Sequence, residues 1–312
     1  MGGTGGMFNS YYTPERYKEM IRESREKTQD IEFETTVNEG INKLLADYNN
    51  RNVDAISAHL EDVKRALEED IEGSLKLMFG GSVSKHTYVD GLSDVDTLVL
   101  VNKSELANLS PHEVLDYFRS RLEGKFRGVE NIRVGDLAVT VQFSDDTILQ
   151  LLPALRTPSG LRISDEAGRQ WSSVIRPDSF AQRLTTVNDT FSRKVVPVIK
   201  LFKGINSGFP ESLRLEGYHI ESLAIEAFEG YPDSEPRTPK AMLEHFVEQA
   251  SRLVRSPIID KTGQSLHVDD YLGKPDSEAR IRVAYTLENV FRRMRKADEA
   301  GYSDEWLSTL GE

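Results

Sequence analysis

The chain has 312 residues, a formal net charge of −12 and no cysteine; this is enough for two domains with a sizeable core, excludes disulfides and thiolate metal sites, and is compatible with a reducing cytoplasm. Its acidity argues against broad nonspecific nucleic-acid binding, because that affinity comes from neutralising phosphates. No apolar run approaches the about 18 residues a membrane helix requires and no signal-peptide pattern opens the sequence, so a soluble cytoplasmic protein without a membrane partner is expected.

The opening MGGTGG follows no strand, so its glycines support neither a dinucleotide fingerprint nor a P-loop. Periodicity predicts helices over 12–49 and 54–77. The second carries Ile56, Leu60, Val63, Leu67 and Ile71 at helical spacing and runs directly into Gly80-Gly81-Ser82. The apolar run Val95 to Leu100 reads as a buried strand, and Pro111 to Phe126 as a helix. A hairpin follows, with one strand over Leu137 to Ser144, a turn at Asp145-Asp146 and a return strand from Ile148. Residues 157–171 read as a polar loop, and from Asp178 the pattern is mainly helical. Loops are expected at 232–239 and 258–271. The basic runs at 252–255 and 289–297 read as solvated helix faces, the latter opposite Val290, Phe291 and Met294.

Chemistry concentrates between Met78 and Leu100, where a Gly-Ser turn precedes two acidic residues one residue apart. Period-two alternation sends Asp94 and Asp96 to the same face, so two carboxylates converge on one point. Magnesium uses one or two protein carboxylates and completes its shell with phosphate oxygens and water, which a nucleoside triphosphate would supply. Gly80, Gly81 and Ser82 can form an anion-binding nest, since glycine lets the backbone approach a phosphate closely. Lys85, Thr87 and Ser93 lie in the same stretch. The bland alternative is a tight turn ahead of an acidic strand. Further on, Lys200 and Lys203 share one helix face at i and i+3; alone they would read as a solvated edge, and Tyr218 as a core residue. The six histidines form no cluster and no zinc pattern is present, so zinc is not expected.

In this order the motifs resemble the polymerase-beta-like nucleotidyltransferase superfamily, marked by Gly-Ser, a loop of about this size, then Asp-x-Asp. More narrowly they resemble the bacterial CD-NTases, relatives of the animal cyclic GMP-AMP synthase and the oligoadenylate synthases. Gly81-Ser82, Lys85-His86-Thr87, Gly91-Leu92-Ser93-Asp94-Val95-Asp96 and Leu151-Leu152-Pro153-Ala154 match four elements of that family in sequence. The likeness extends to VVPVIKLFKGI (195–205) and LRLEGYHIESLAIEAF (213–228), where Gly217 stands in place of the family's usual serine.

The resemblance implies an α+β fold: a nucleotidyltransferase palm, a mixed sheet flanked by helices, followed by a helical C-terminal domain. The expected division is 1–176 for the N-terminal helices, a spine helix and the palm, and 177–312 for a mainly helical nucleotide-binding domain. It implies an enzyme that joins ribonucleoside triphosphates, purine or pyrimidine, into a cyclic or short linear second messenger for a downstream effector in antiphage defence. Asp94 and Asp96 would hold Mg2+ or Mn2+, two ions during catalysis. Gly81, Ser82, Lys85, Thr87, Ser93, Lys200, Lys203 and Gly217 would contact nucleotide, with Tyr218 stacking on a base. No stable nucleic-acid partner is expected.

Gln150 stands where the family carries a third catalytic carboxylate. Its carbonyl oxygen can ligate a metal or orient a hydroxyl, but it cannot serve as a general base or add negative charge. Three readings stay open: a natural variant that remains active, a site that binds nucleotide without turnover, and an introduced substitution. The other motif elements remain together, which favours the first. The alternatives for the whole chain are a silent nucleotide sensor or scaffold, and a transferase that modifies a protein, an antibiotic or a tRNA end.

Overall fold

A computed structural model describes residues 14–311 except 51, 126–127, 166–167 and 261–266; the Gly-rich start lies outside the described residues. The chain opens with two helices, α1 (Pro14–Asp47) and α2 (Val53–Glu68). Next come β1 (Gly73–Phe79), the single turn α3 (Gly81–Ser84), β2 (Val95–Ser104), α4 (Pro111–Leu122), β3 (Val129–Val134), β4 (Val139–Phe143), β5 (Ile148–Thr157) and β6 (Gly160–Arg162). These strands form a six-stranded sheet in the order β1-β2-β5-β4-β3, with β6 paired to β5. β2 and β5 run parallel and the other pairs antiparallel. The parallel register sets Asp96 opposite Gln150.

Alternation within the strands decides which face is covered. Val95, Val99 and Val101 of β2, with Leu149 and Leu151 of β5, are buried against α2 and α4, which contribute Val63, Leu67, Val114, Leu115 and Phe118. α4 starts at a capping box in which Ser110 and Glu113 satisfy each other's backbone amides, with Pro111 in the first turn. The hairpin forms at the expected place: Asp146 takes φ 63 and its amide donates to Phe143 O at 3.1 Å.

The helix expected over 54–77 ends instead at Glu68, and its last part is strand β1. Gly73 adopts φ +117, and a Cβ there would lie 2.0 Å from Lys103 O, so only glycine allows this approach to β2. Glu68 then accepts the Leu75 amide at 2.7 Å. Pairing with β2 overrides the helical spacing that Ile71 continues. The loop expected at 157–171 also contains a strand, β6, which folds back on β5.

The remaining helices are α5 (Pro177–Thr190), α6 (Val195–Ser207), α7 (Gly217–Glu229), α8 (Pro239–Leu253), α9 (Glu278–Ala300) and α10 (Ser303–Leu307). They share a second core built on Leu201, Phe202, Phe228, Phe246, Leu287 and Trp306. α1 precedes the sheet in sequence, yet Val37, Ile41 and Leu44 pack into this helical core. Lys240 fastens the arrangement, reaching Glu34 at 2.9 Å and Asp298 at 2.5 Å. The basic faces near the end are ion-paired on the surface, Arg252 with Glu248 at 2.6 Å and Arg295 with Asp298 at 3.3 Å. Among the described residues, no helix is long and apolar enough to cross a membrane.

Candidate active site

The end of the sheet and the facing ends of α6 and α7 enclose a cleft of 410 Å3. One wall is local in sequence. Asp94 immediately precedes β2 and Asp96 is its second residue, so the strand carries both carboxylates into the cleft. The turn between β1 and α3 lies against them: Gly80 N–H donates to Asp96 O at 2.8 Å, and the Ser82 backbone amide donates to the Asp96 carboxylate. Gly81 has φ +44, and a Cβ there would lie 1.5 Å from Asp96 Oδ2. No other residue allows this approach without displacing the carboxylate.

Gln150 stands on β5 beside the pair and its side-chain amide donates to Asp94 Oδ2. Burial raises the pKa of Asp94 from its ordinary value, and this hydrogen bond opposes the shift. Burial also raises Asp96; the Lys85 charge and the Ser82 amide work against it, and the neighbouring Asp94 charge adds to it. Burial is thus the leading cause of both shifts.

The opposite wall is assembled across long sequence separations. Lys203 of α6 donates to Thr87 O at 2.9 Å and lies 3.4 Å from Glu221 Oε1 on α7. Burial lowers the Lys203 pKa, and the Glu221 charge opposes that. Lys85 reaches Glu221 Oε2 at 2.5 Å and sits 5.5 Å from the Tyr218 ring centroid. Tyr218 borders the cleft; its ring lies 4.6 Å from Phe180 and its hydroxyl donates to Asp260 at 2.8 Å. At Gly217 a Cβ would meet only Lys203, with Nζ at 3.7 Å, an ordinary contact distance.

The structure therefore gathers Gly81, Ser82, Lys85, Ser93, Asp94, Asp96, Lys203, Gly217 and Tyr218 around one cleft, with Gln150 bonded to Asp94 from behind. It does not bring Thr87 or Lys200 onto the wall. Thr87 is wholly buried and donates its hydroxyl to Glu221. Lys200 is 8% exposed and bonds Asn49 Oδ1 at 2.5 Å, tying α6 to the end of α1. Sequence reasoning passed over Glu221. Its signal is a lone acid on the apolar face of HIESLAI, since a carboxylate there needs a cationic partner.

No protein-family model and no curated protein matches the sequence. Solved structures do match in three dimensions. The Escherichia coli MS115-1 CdnC structure with ATP is 15% identical, covers 83% of this chain and 92% of its own, and has a TM-score of 0.61. The Bradyrhizobium diazoefficiens CD-NTase CdnG in complex with GTP is 14% identical over 88% of this chain and 97% of its own, with a TM-score of 0.60. The Vibrio cholerae cyclic AMP-GMP synthase DncV, in complex with a linear intermediate, is 10% identical over 96% and 91%, with a TM-score of 0.59. The fold is that of a polymerase-beta-like nucleotidyltransferase, a mixed sheet flanked by helices. Among those folds, it is the CD-NTase architecture that this chain shares.

Proposed function

We propose that the chain is a metal-dependent nucleotidyltransferase that joins ribonucleoside triphosphates into a cyclic or short linear oligonucleotide. One observation carries the reading: paired, partly buried carboxylates face two lysines across one cleft, beside a Gly-Ser turn. The chemistry of the donor set fits a hard cation. Asp94 and Asp96 supply two oxygen ligands, and half a turn of the Gln150 amide would exchange its donor for Oε1, a third. When bound, divalent ions would lower the pKa of an attacking ribose hydroxyl and neutralise the departing pyrophosphate.

The chain's own groups do the positioning. Ser82 and the Gly81 turn cradle phosphate, Lys203 and Lys85 balance its charge, and Tyr218 orients a base. Lys200 and Thr87 hold α6 and the loop in place behind the wall. A role in antiphage signalling, with a separate effector sensing the product, is supported by the fold likeness and the motif order.

The test incubates the protein with the four ribonucleoside triphosphates and Mg2+ or Mn2+, then resolves phosphatase-resistant products. Asp96→Asn should lose product by about 10^3-fold or more, since charge neutralisation at the reacting phosphate carries most of the catalysis. Turnover that survives the substitution overturns the assignment. A second reading, a silent nucleotide sensor, is favoured by Gln150 alone; product formed only by Gln150→Asp would establish it.

A further inference from the structure

Glu221 is the most deeply buried charged group bordering the cleft, at 1% exposure. It projects from α7 between two cations supplied by separate parts of the chain. Its Oε2 lies 2.5 Å from Lys85 Nζ, in the loop after α3, and its Oε1 lies 3.4 Å from Lys203 Nζ on α6. The Thr87 hydroxyl donates to Oε1 and fixes the carboxylate's rotation. Lys203 in turn donates to the Thr87 carbonyl at 2.9 Å. Both lysines line the cleft, with only 12% and 10% of their side chains exposed.

Two ammonium groups held together in so dry a place repel each other and lose hydration. A carboxylate between them offsets both costs, and a buried carboxylate is itself tolerated only when paired. The arrangement does more than stabilise the fold. Lys85 and Thr87 belong to the palm, while Lys203 and Glu221 belong to the helical layer, so Glu221 also sets the register between the two walls.

We propose that Glu221 is a positioning residue for polyphosphate binding, gathering Lys85 and Lys203 side by side so that the triphosphate meets a preassembled pair of cations. The proposal rests on the nucleotidyltransferase reading of the cleft. Glu221 does not touch the substrate. It acts through the lysines, both of which line the cleft and are held in place by Glu221, with Thr87 also accepting from Lys203.

The experiment measures binding of a nonhydrolysable nucleoside triphosphate and of the matching nucleoside, with Mg2+, to the full chain and to Glu221→Gln, Glu221→Asp and Thr87→Val. Glutamine keeps the volume and the hydrogen bond from Thr87 but removes the charge. Glu221→Gln should weaken the triphosphate about tenfold or more, as loss of one member of a buried charge cluster does. Nucleoside affinity should stay within about twofold, because no phosphate contact is involved. Glu221→Asp, which restores the charge on a shorter stem, should recover part of the loss. A merely structural residue would weaken both ligands together, and that result overturns the proposal. Unchanged or tighter triphosphate binding in Glu221→Gln overturns it too, because the carboxylate would then be a bystander or a competitor. Should Glu221→Gln fail to fold, Thr87→Val carries the same contrast, with a loss of about threefold expected for the triphosphate alone; equal loss for both ligands, or none, overturns the proposal. If the unaltered chain binds no triphosphate, the nucleotidyltransferase reading itself fails, and this proposal with it.

Discussion

The two walls of the cleft are built on different principles. The carboxylate wall comes from one strand and the turn before it, all within 80–96, and needs only period-two alternation and one permissive glycine to form. The cationic wall joins Lys85 to Lys203 and Glu221 across more than a hundred residues, bringing the loop after α3 against α6 and α7. The first is set by local geometry and the second by packing. On the proposed nucleotidyltransferase reading, chemistry at the sheet end would be sensitive to single atoms, and substrate capture opposite it to the stability of the helical layer.

Gly81→Ala tests the first half of that contrast and, after Asp96→Asn, should have the largest effect. The added methyl would stand 1.5 Å from Asp96 Oδ2 and impose a left-handed φ of +44 on an alanine. Either the turn or the carboxylate must move. A displacement of about 1 Å at a reacting centre costs on the order of 10^2-fold in rate. Product formation should fall by that amount while thermal stability drops by no more than about 1–3 kcal/mol, the usual cost of backbone strain. Wild-type turnover in Gly81→Ala would show that Asp96 does not have to sit where the turn holds it.

The same contrast explains what could be read from the sequence. Asp94, Asp96, Gly81 and Ser82 are visible because their spacing alone brings them together, and the hairpin places Gln150 without any knowledge of the helices. β1 was hidden because Leu67 and Ile71 continue a helical period; Gly73, the one break in it, takes its meaning from Lys103 on another strand. Lys200 and Lys203 share a face by spacing, yet Asn49 draws one toward α1 while Thr87 and Glu221 draw the other toward the cleft. Thr87, matched by motif to nucleotide contact, turns inward to Glu221. Spacing along one helix does not carry information about partners more than a hundred residues away.

A pH experiment addresses the helical wall. His219, next to Tyr218 on α7, is fully buried. Its Nδ1 shares a hydrogen bond with the Tyr271 hydroxyl, 2.9 Å away, which itself accepts the Glu216 amide at 3.1 Å. Asp269 lies 3.4 Å from Nε2 but is already paired with Arg280 at 2.6 Å. Burial therefore lowers the His219 pKa from 6.5 to about 4; Asp269 opposes the shift and Arg280 adds to it. Because the folded-state pKa is depressed, the unfolded chain binds the proton more readily. The contribution is complete above pH 6.5 and disappears as pH falls through 4. It amounts to on the order of 3 kcal/mol. Urea unfolding between pH 7 and pH 4 should show this acid loss, and His219→Asn should flatten it. An unchanged acid limb in that variant would place the sensitivity elsewhere.

Gly217→Ser would sharpen the contrast from the other side, with the smallest expected effect. Gly217 opens α7 beside Lys203, where Glu216 caps the helix without a side-chain hydrogen bond. A Cβ there has ordinary contact distances, 3.7 Å to Nζ and 3.8 Å to Cε of Lys203, and no backbone in the way. A serine hydroxyl would add one neutral donor near the first amides of the helix, where an anion is already favoured. One such hydrogen bond contributes about 0.5–1.5 kcal/mol, so triphosphate affinity should rise by roughly two- to tenfold with little change in turnover. The free hydroxyl would also replace a flexible glycine in the first turn, and a small gain in thermal stability should accompany the tighter binding. If affinity falls instead, the glycine is there to let phosphate approach the backbone itself, and the cationic wall would share with the Gly81 turn a dependence on main-chain contact.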